Sequence, residues 1–338
     1  MKWFAAVLLG LLGPVSALSA VQRVPGDHPT IQAAVDAAAP GDTVWIAPGS
    51  YTENVSIKFK DGLALIGAEG WEKTIIDGDA KNSVVYADSN SGTLVFSGLT
   101  FKGGDAQLNG GGLAVRKTAT LVRACRFVGN RAYNSGGGLS LLNCPSNIVE
   151  NCMFEQNECL DEASAASIVG GRGVFSGNTV RDNTGAIAVV LIQSGCDLRN
   201  NVIVRNLCTD FGAIAYQFAF NAVIEENTIA QNTGMEGMGA IIAQLGDLRI
   251  ERNIICHNKG VAGIYIESAD GLVRHGGNNI WKNEGGLYVG TEAGPGDLAV
   301  DPMFCNPDKG DYRLRKKSPC LPTEKRPQKI GALGEGCP

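Results

Sequence analysis

A six-residue phrase that recurs at nearly constant spacing decides what this chain can fold into. It reads LTFKGG from Leu99, CRFVGN from Cys125, CMFEQN from Cys152 and NTVRDN from Asn178. It continues as NVIVRN from Asn201, NTIAQN from Asn227, NIICHN from Asn253 and NNIWKN from Asn278. Successive copies start 26, 27, 26, 23, 26, 26 and 25 residues apart. Self-similarity at that period marks a solenoid, in which each repeat packs only on its neighbours. A second phrase falls between the copies, as GGLAV at Gly111, GGLSL at Gly137, GAIAV at Gly185, GAIAY at Gly212, GAIIA at Gly239, AGIYI at Ala262 and GGLYV at Gly285. A third β-like segment precedes each copy, as in NAVIEEN and DLRIERN. Helical periodicity is missing from the repeats. Three short strands per turn, each turn closing after about 25 residues, predict an all-β solenoid: a single-stranded right-handed parallel β-helix with an N-terminal helix cap. Rungs about 4.8 Å apart would make eight of them a rod of roughly 40 Å.

The asparagines follow from this geometry. Asn tolerates a left-handed backbone at a sharp bend, and its amide can accept from one rung while donating to the next. Asn178, Asn201, Asn227, Asn253 and Asn278 form one predicted ladder. Asn130, Asn157, Asn183, Asn206, Asn232, Asn258 and Asn283 form a second. Leu99, Cys125 and Cys152 make the first ladder apolar at its head. The middle residue of the phrase should point inward: Phe101, Phe127 and Phe154, then Val180, Ile203, Ile229, Ile255 and Ile280.

Both ends of a solenoid need covers. Residues 1–20 hold Lys2, a short apolar run and then small residues, which predicts a secretory signal peptide rather than a membrane span. Residues 21–50 predict the N-terminal cap, with Asp27 or Thr30 capping a helix to about Ala38 whose buried face is Ile31, Ala34, Val35 and Ala38. Residues 51–294 are assigned to the β-helix and 295–338 to an irregular C-terminal cap. The expected product is a monomer that is secreted, periplasmic or held at the cell surface. A formal net charge of −5 argues against nucleic acid as a partner. Three histidines and no CxxC or HExxH pattern leave no zinc signature.

The stretch TIQAAVDAA, followed by a strand and GSYTENV, resembles the opening of pectin methylesterases and of the wider pectin-lyase-like superfamily. DPMF, DYRL, SPC and IGALG resemble the ending of exported bacterial right-handed β-helix repeat proteins. The resemblance implies the fold. The catalytic signatures of pectin methylesterases, polygalacturonases and pectate lyases are missing, so no catalytic residue is carried over.

A site is therefore sought on the outward face of the GGL strands. The outward positions are read as Ala114 and Arg116, Ser140 and Leu142, Ala188 and Val190, Ala215 and Gln217, Ile242 and Gln244, Tyr265 and Glu267, Tyr288 and Gly290. Glycosidic cleavage needs two carboxylates about 5–10 Å apart, and this face offers only Glu267. Tyr265 and Tyr288 on adjacent rungs, beside Gln217, Gln244 and Glu267, predict instead a shallow strip for a polysaccharide or cell-surface glycan. Loop packing over the same stripe is the plainer alternative. The leading function is thus non-catalytic presentation of a rigid face. A polysaccharide lyase, glycoside hydrolase or epimerase with an unrecognised site is the second reading, and a structural or adhesin-like stalk the third.

Lesser features are weighed in the same way. Cys256 and His257 are neighbours on a strand and should face opposite ways. Asp77, Asp79 and Asp105 could hold calcium, although such residues more often form turns; no other cofactor is expected. Arg313, Arg315, Lys316 and Lys317 form a basic tail that could touch acidic polysaccharide, although it is read mainly as a solvated cap. Cys125 and Cys152 share a position on neighbouring rungs, which suits either a disulfide or two small buried residues. In the closing segment, Cys305 with Cys320 is the first choice for a bond.

Overall fold

The computed structural model describes residues 19–185, 188–267 and 273–338. Of the expected signal peptide, only residues 19 and 20 fall within that range. The phrase copies form eight of ten strands in one parallel sheet, from Gly49–Thr52 and Thr74–Asp77 to Asn279–Trp281. The first two strands, GSYT and TIID, lack the asparagines and were invisible to the repeat. The other two walls form one continuous nineteen-stranded sheet, because Ala163–Ser176 and Ala188–Arg199 run through the bend that separates shorter strands in other turns. Strands equivalent to Leu113–Arg116 are here called the first wall, those equivalent to Ala119–Arg123 the second, and the ten-stranded sheet the third.

Register along the third wall is unbroken at the inward position. Phe101 pairs with Phe127, Phe127 with Phe154, Phe154 with Val180, and so on through Ile203, Ile229 and Ile255 to Ile280. All are fully buried. The rung spacing brings the rings into face-to-face stacks, with centroids 4.9 Å apart for Phe101–Phe127 and 4.6 Å for Phe127–Phe154. Burial of each ring contributes dispersion and area on the scale of the largest core residues.

Both asparagine ladders are present. Asn227 shows the pattern: its Oδ1 accepts from the backbone N–H and the Nδ2 of Asn201, both at 2.9 Å. Its Nδ2 donates to Leu198 O at 3.0 Å and to Asn253 Oδ1 at 3.0 Å. The same contacts link Asn178 to Asn278, and Asn130 to Asn283. The left-handed residue at each bend, however, is not the ladder asparagine but the one before it. At the first corner these are Gly98, Ala124, Asn151, Gly177, Asn200, Glu226, Arg252 and Gly277; at the second they include Asp182, Arg205, Gln231, His257 and Lys282. The buried amide secures the corner, and the residue before it, exposed or half-exposed from Ala124 onward at the first corner, takes up the left-handed backbone.

Thr30 caps the helix Ile31–Ala37, its Oγ1 accepting from Ala33 N at 3.1 Å. The Glu53 carboxylate, from the first strand region, accepts from Ile31 N and Gln32 N at 2.9 and 3.0 Å. It thus satisfies first-turn donors that a helix leaves open. Ile31, Ala34 and Val35 close the end of the core. No helix among the described residues is long and apolar enough to cross a membrane.

The C-terminal segment does two things. Residues 294–300 cover the far end: Asp297 and Leu298 hydrogen-bond to Asn278 and Ile280. Strands Phe304–Asn306, Asp311–Arg315 and Glu335–Cys337 then form a small sheet. The segment packs along the flank of the third wall, where Phe304, Tyr312, Leu314, Cys320 and Ile330 cover Val202, Val204, Ala230, Ile254 and Cys256. The disulfide joins Cys305 to Cys337, with Cα atoms 6.0 Å apart, and not Cys305 to Cys320. Cys305 and Cys337 lie on two strands of the small sheet. Cys320 instead points into the flank core, where it accepts a hydrogen bond from Asn279 Nδ2 at 3.1 Å. Cys125 and Cys152 are free, buried thiols, each donating to a local carbonyl at 3.3 Å.

Candidate functional site

In-register stacking builds two outward columns along the first wall. One column runs Ser56, Tyr86, Ala114, Ser140 and Ser167, and further on Ala215, Ile242 and Tyr265. The other runs Lys58, Asp88, Arg116, Leu142, Val169 and Gln193, followed by Gln217, Gln244 and Glu267. The glutamines form a polar row: Gln193 Nε2 donates to Gln217 Oε1 at 2.6 Å, and Gln244 Nε2 donates to Glu267 Oε2 at 2.6 Å.

Two predicted outward residues turn inward. Tyr288 pairs with Ile264, while Tyr265 pairs with Val289. A one-residue slip reverses the face of a strand residue, so Tyr288 leaves the strip and packs against the core. Its ring stacks on His275 with centroids 5.5 Å apart, and its hydroxyl donates to Asp297 Oδ2 at 2.7 Å. Burial, and then the carboxylate beside it, push the Tyr288 hydroxyl well above the usual phenol range. Val190 likewise pairs with Ile214 and is fully buried. Tyr265 therefore stands without an aromatic partner on the next rung, and Ala215 and Ile242 beside it are buried.

The opposite end of the same columns carries a group that the repeat did not reveal. Tyr86 and Asp88 are half-buried, Lys58 and Arg116 exposed. The Tyr86 hydroxyl donates to Asp88 Oδ2 at 3.0 Å, and Ser89 Oγ donates to Asp88 Oδ1 at 3.0 Å. Lys58 Nζ stands 5.5 Å from the centre of the Tyr86 ring, within cation–π range. Burial alone would raise the Asp88 pKa; the Tyr86 and Ser89 hydrogen bonds and the charges of Arg116 and Lys117 overcome it and hold the carboxyl below its usual value. The turn residues Leu108 and Asn109 wall off a groove of about 300 Å³ over Tyr86, Arg116, Ser140 and Leu142. Leu108 is 70% exposed there, an apolar rim beside a floor that mixes Tyr86, Arg116 and Ser140 with Leu142. The missed strand reads VYAD and lacks the double glycine of the later copies. Counting back from Leu113 by one turn would have found it.

The remaining candidates are placed plainly. Cys256 is fully buried beneath the flank, whereas His257 is exposed at a bend, so the two do not form a pair. Asp77, Asp79 and Asp105 each face a cation of their own: Lys102 at 3.2 Å, Lys81 at 2.7 Å and Arg131 at 3.9 Å. Among the described residues, no group of three His, Cys, Asp or Glu could hold a metal ion.

Residues 49–203 match the family described as "Right handed beta helix region". No curated protein matches the chain. Among solved structures, the pectate lyase Pel9A is similar at 13% identity over 94% of this chain and 97% of its own, with a TM-score of 0.54. The pectin methylesterase of Aspergillus niger is similar at 12% identity over 86% and 92%, with a TM-score of 0.41. The alginate lyase of Paenibacillus sp. str. FPU-7 is similar at 13% identity over 83% and 99%, with a TM-score of 0.44. Stacked parallel rungs, paired asparagine columns and a helix-covered end therefore describe one fold: the chain is a right-handed parallel β-helix, the fold it shares with the pectate lyase Pel9A.

Proposed function

We propose that the protein is exported and binds a polysaccharide along the outward face of its first wall, presenting a rigid surface rather than cleaving the glycan. The observation that carries this reading is the second outward column, with polar groups at both of its ends. It begins at the groove over Tyr86 and Arg116, with Lys58 and Asp88 beside it, passes Leu142 and Val169, and continues through Gln193, Gln217, Gln244 and Glu267, with Tyr265 alongside. Hydroxyls of a sugar chain suit amides and carboxylates repeated at rung spacing, and an aromatic ring offers a face for a pyranose. Export is supported by the leader-like first twenty residues and by the Cys305–Cys337 disulfide. A monomer is the simplest form that leaves the whole face open.

The test is a polysaccharide array probed with the full chain and with Tyr86→Ala and Arg116→Ala. Each substitution is expected to weaken retention of the bound glycan by about ten-fold, the scale of one lost charged or stacking contact. Retention unchanged in both variants would remove the reading.

One observation favours a catalytic alternative. The Asp88 carboxyl is held below its usual pKa beside the Tyr86 phenol and near the Arg116 guanidinium, which places a base and a cation at the edge of one groove. A lyase, hydrolase or epimerase of polysaccharides would use such a set. Release of unsaturated or reducing ends from the retained glycan, abolished by Asp88→Asn, would select this alternative. Retention without release selects binding alone.

A further inference from the structure

The chain is acidic overall, with a formal net charge of −5. Its positive charge is nevertheless concentrated. Residues 313–329 carry seven Lys or Arg and a single Glu. Charge segregated in this way creates a local field even on a protein of the opposite net sign. Part of that segment folds back against the first corner of the β-helix, and the junction is a cleft of about 590 Å³.

Four cations line this cleft: Arg252 and Arg274 from the helix side, Lys325 and Arg326 from the C-terminal segment. They divide into two pairs. Arg252 is pinned by Glu225, by Glu226 at 3.4 Å and by Glu251 at 3.4 Å. Arg326 is pinned by carbonyls, its Nη2 donating to Pro319 O at 2.6 Å and Leu321 O at 2.7 Å and its Nε to Gln328 O at 3.2 Å. Those two form fixed walls. Arg274 and Lys325 are exposed and meet no carboxylate among the described residues. Gly276, Gly277 and Gly296 leave the floor between them without side chains. Among the described residues the acidic group on the lining is Glu251, and it is already engaged by Arg249 at 3.9 Å and by Arg252.

We infer that this cleft is a second binding site, separate from the first-wall groove, for a carboxylate or sulfate group of a polyanionic glycan. Arg274 and Lys325 take the anionic group between them. A guanidinium matches two oxygens of a carboxylate or sulfate at once, and an ammonium adds a third contact from the facing wall. Because one cation belongs to the helix and the other to the C-terminal segment, an occupant also ties the flank to the rod. Nucleic acid fits less well: among the described residues the lining has no exposed aromatic ring on which a base could stack, and the molecule as a whole is acidic. The site stands independently of the first-wall reading.

The full chain is titrated with polygalacturonate, dextran sulfate, neutral dextran and single-stranded DNA at moderate salt. One or both of the anionic glycans should bind, with neutral dextran unbound. The double substitution Arg274→Ala/Lys325→Ala should weaken that binding by about ten-fold or more, two charge-assisted contacts being lost. Charge reversal at both positions, Arg274→Glu/Lys325→Glu, should abolish it. Lys81→Ala/Lys102→Ala removes the same formal charge from the distant early rungs and should change it less than about two-fold. Four results would each overturn the inference: an equal loss in that control pair, unchanged affinity in the Arg274/Lys325 pair, DNA bound as tightly as either glycan, or complete loss of binding from Arg116→Ala alone. The last distinguishes this cleft from the first-wall groove, and thermal unfolding of each variant confirms that the fold is retained.

Discussion

Replacing Asn227 by alanine is expected to destabilise the protein by about 3–5 kcal/mol, because several buried polar groups lose their partners at about 1–3 kcal/mol each. The orphans can be named. Asn201 loses the acceptor for its backbone N–H and for its side-chain amide. Leu198 O and Asn253 Oδ1 lose a donor. All are sealed inside the rod, and water cannot replace the lost partner. Asn283, the last amide of the second ladder, provides the internal comparison. Its Nδ2 donates to Ile255 O and its Oδ1 accepts from Asn258, with no further asparagine beyond it. Asn283→Ala should therefore cost less than Asn227→Ala. Urea unfolding midpoints of the two variants check the order. Equal and small losses, under about 1 kcal/mol, would show that the ladders carry little stability.

The second large effect sits where the first ladder ends. Beyond Asn278 the next partner is not an amide but the carboxylate of Asp297, whose side chain is 2% exposed. Asp297 Oδ1 accepts from Asn278 N at 2.7 Å, taking the place of another rung. Asp297 Oδ2 accepts from Tyr288 Oη at 2.7 Å and Gly294 N at 2.8 Å, with His275 Nδ1 at 3.3 Å. Removing one member of a buried, hydrogen-bonded charge cluster costs about 3–5 kcal/mol, so Asp297→Ala is expected to loosen the end of the rod by that amount. The effect should be concentrated after residue 273, and hydrogen exchange can localise it.

Acid should act on the same carboxylate. Burial alone would raise the Asp297 pKa, but the His275, Tyr288, Asn278 and Gly294 contacts outweigh it and hold the carboxyl below its usual value. A folded pKa below the unfolded one means that Asp297 contributes its full stability above about pH 4. That contribution is lost as pH falls through the lower, folded value. Asp297→Asn keeps an oxygen for Asn278 but presents no titrating group. Its unfolding midpoint should vary less with pH below about 4 than that of the parent. Identical pH profiles would remove Asp297 as the source of acid sensitivity.

The repeat made the architecture legible because strand alternation and rung stacking are local rules. Once Asn227 lies over Asn201 and under Asn253, the positions of Ile229, Ile203 and Ile255 follow, and all are buried as the spacing requires. The site was less legible for two reasons. VYAD carries the same alternation as later strands without their glycines, so Tyr86 and Asp88 were left outside the aligned copies. Tyr288 was aligned by its neighbours in print, whereas its register was decided by Ile264 across the strand pair and by the buried carboxylate waiting for its hydroxyl.

By itself, then, the sequence determined the solenoid, its inward columns, both asparagine ladders and the helix that seals the first end. Each of these depends on identities repeated at one period, and each rung makes the same contacts as the last. Only the tertiary structure decided the Cys305–Cys337 pairing, the placement of the C-terminal segment along the flank, the Asp297 terminus and the grouping of Lys58 with Tyr86, Asp88 and Arg116. Those contacts join residues whose separation along the chain follows no period, so their partners are chosen by where the chain returns in space.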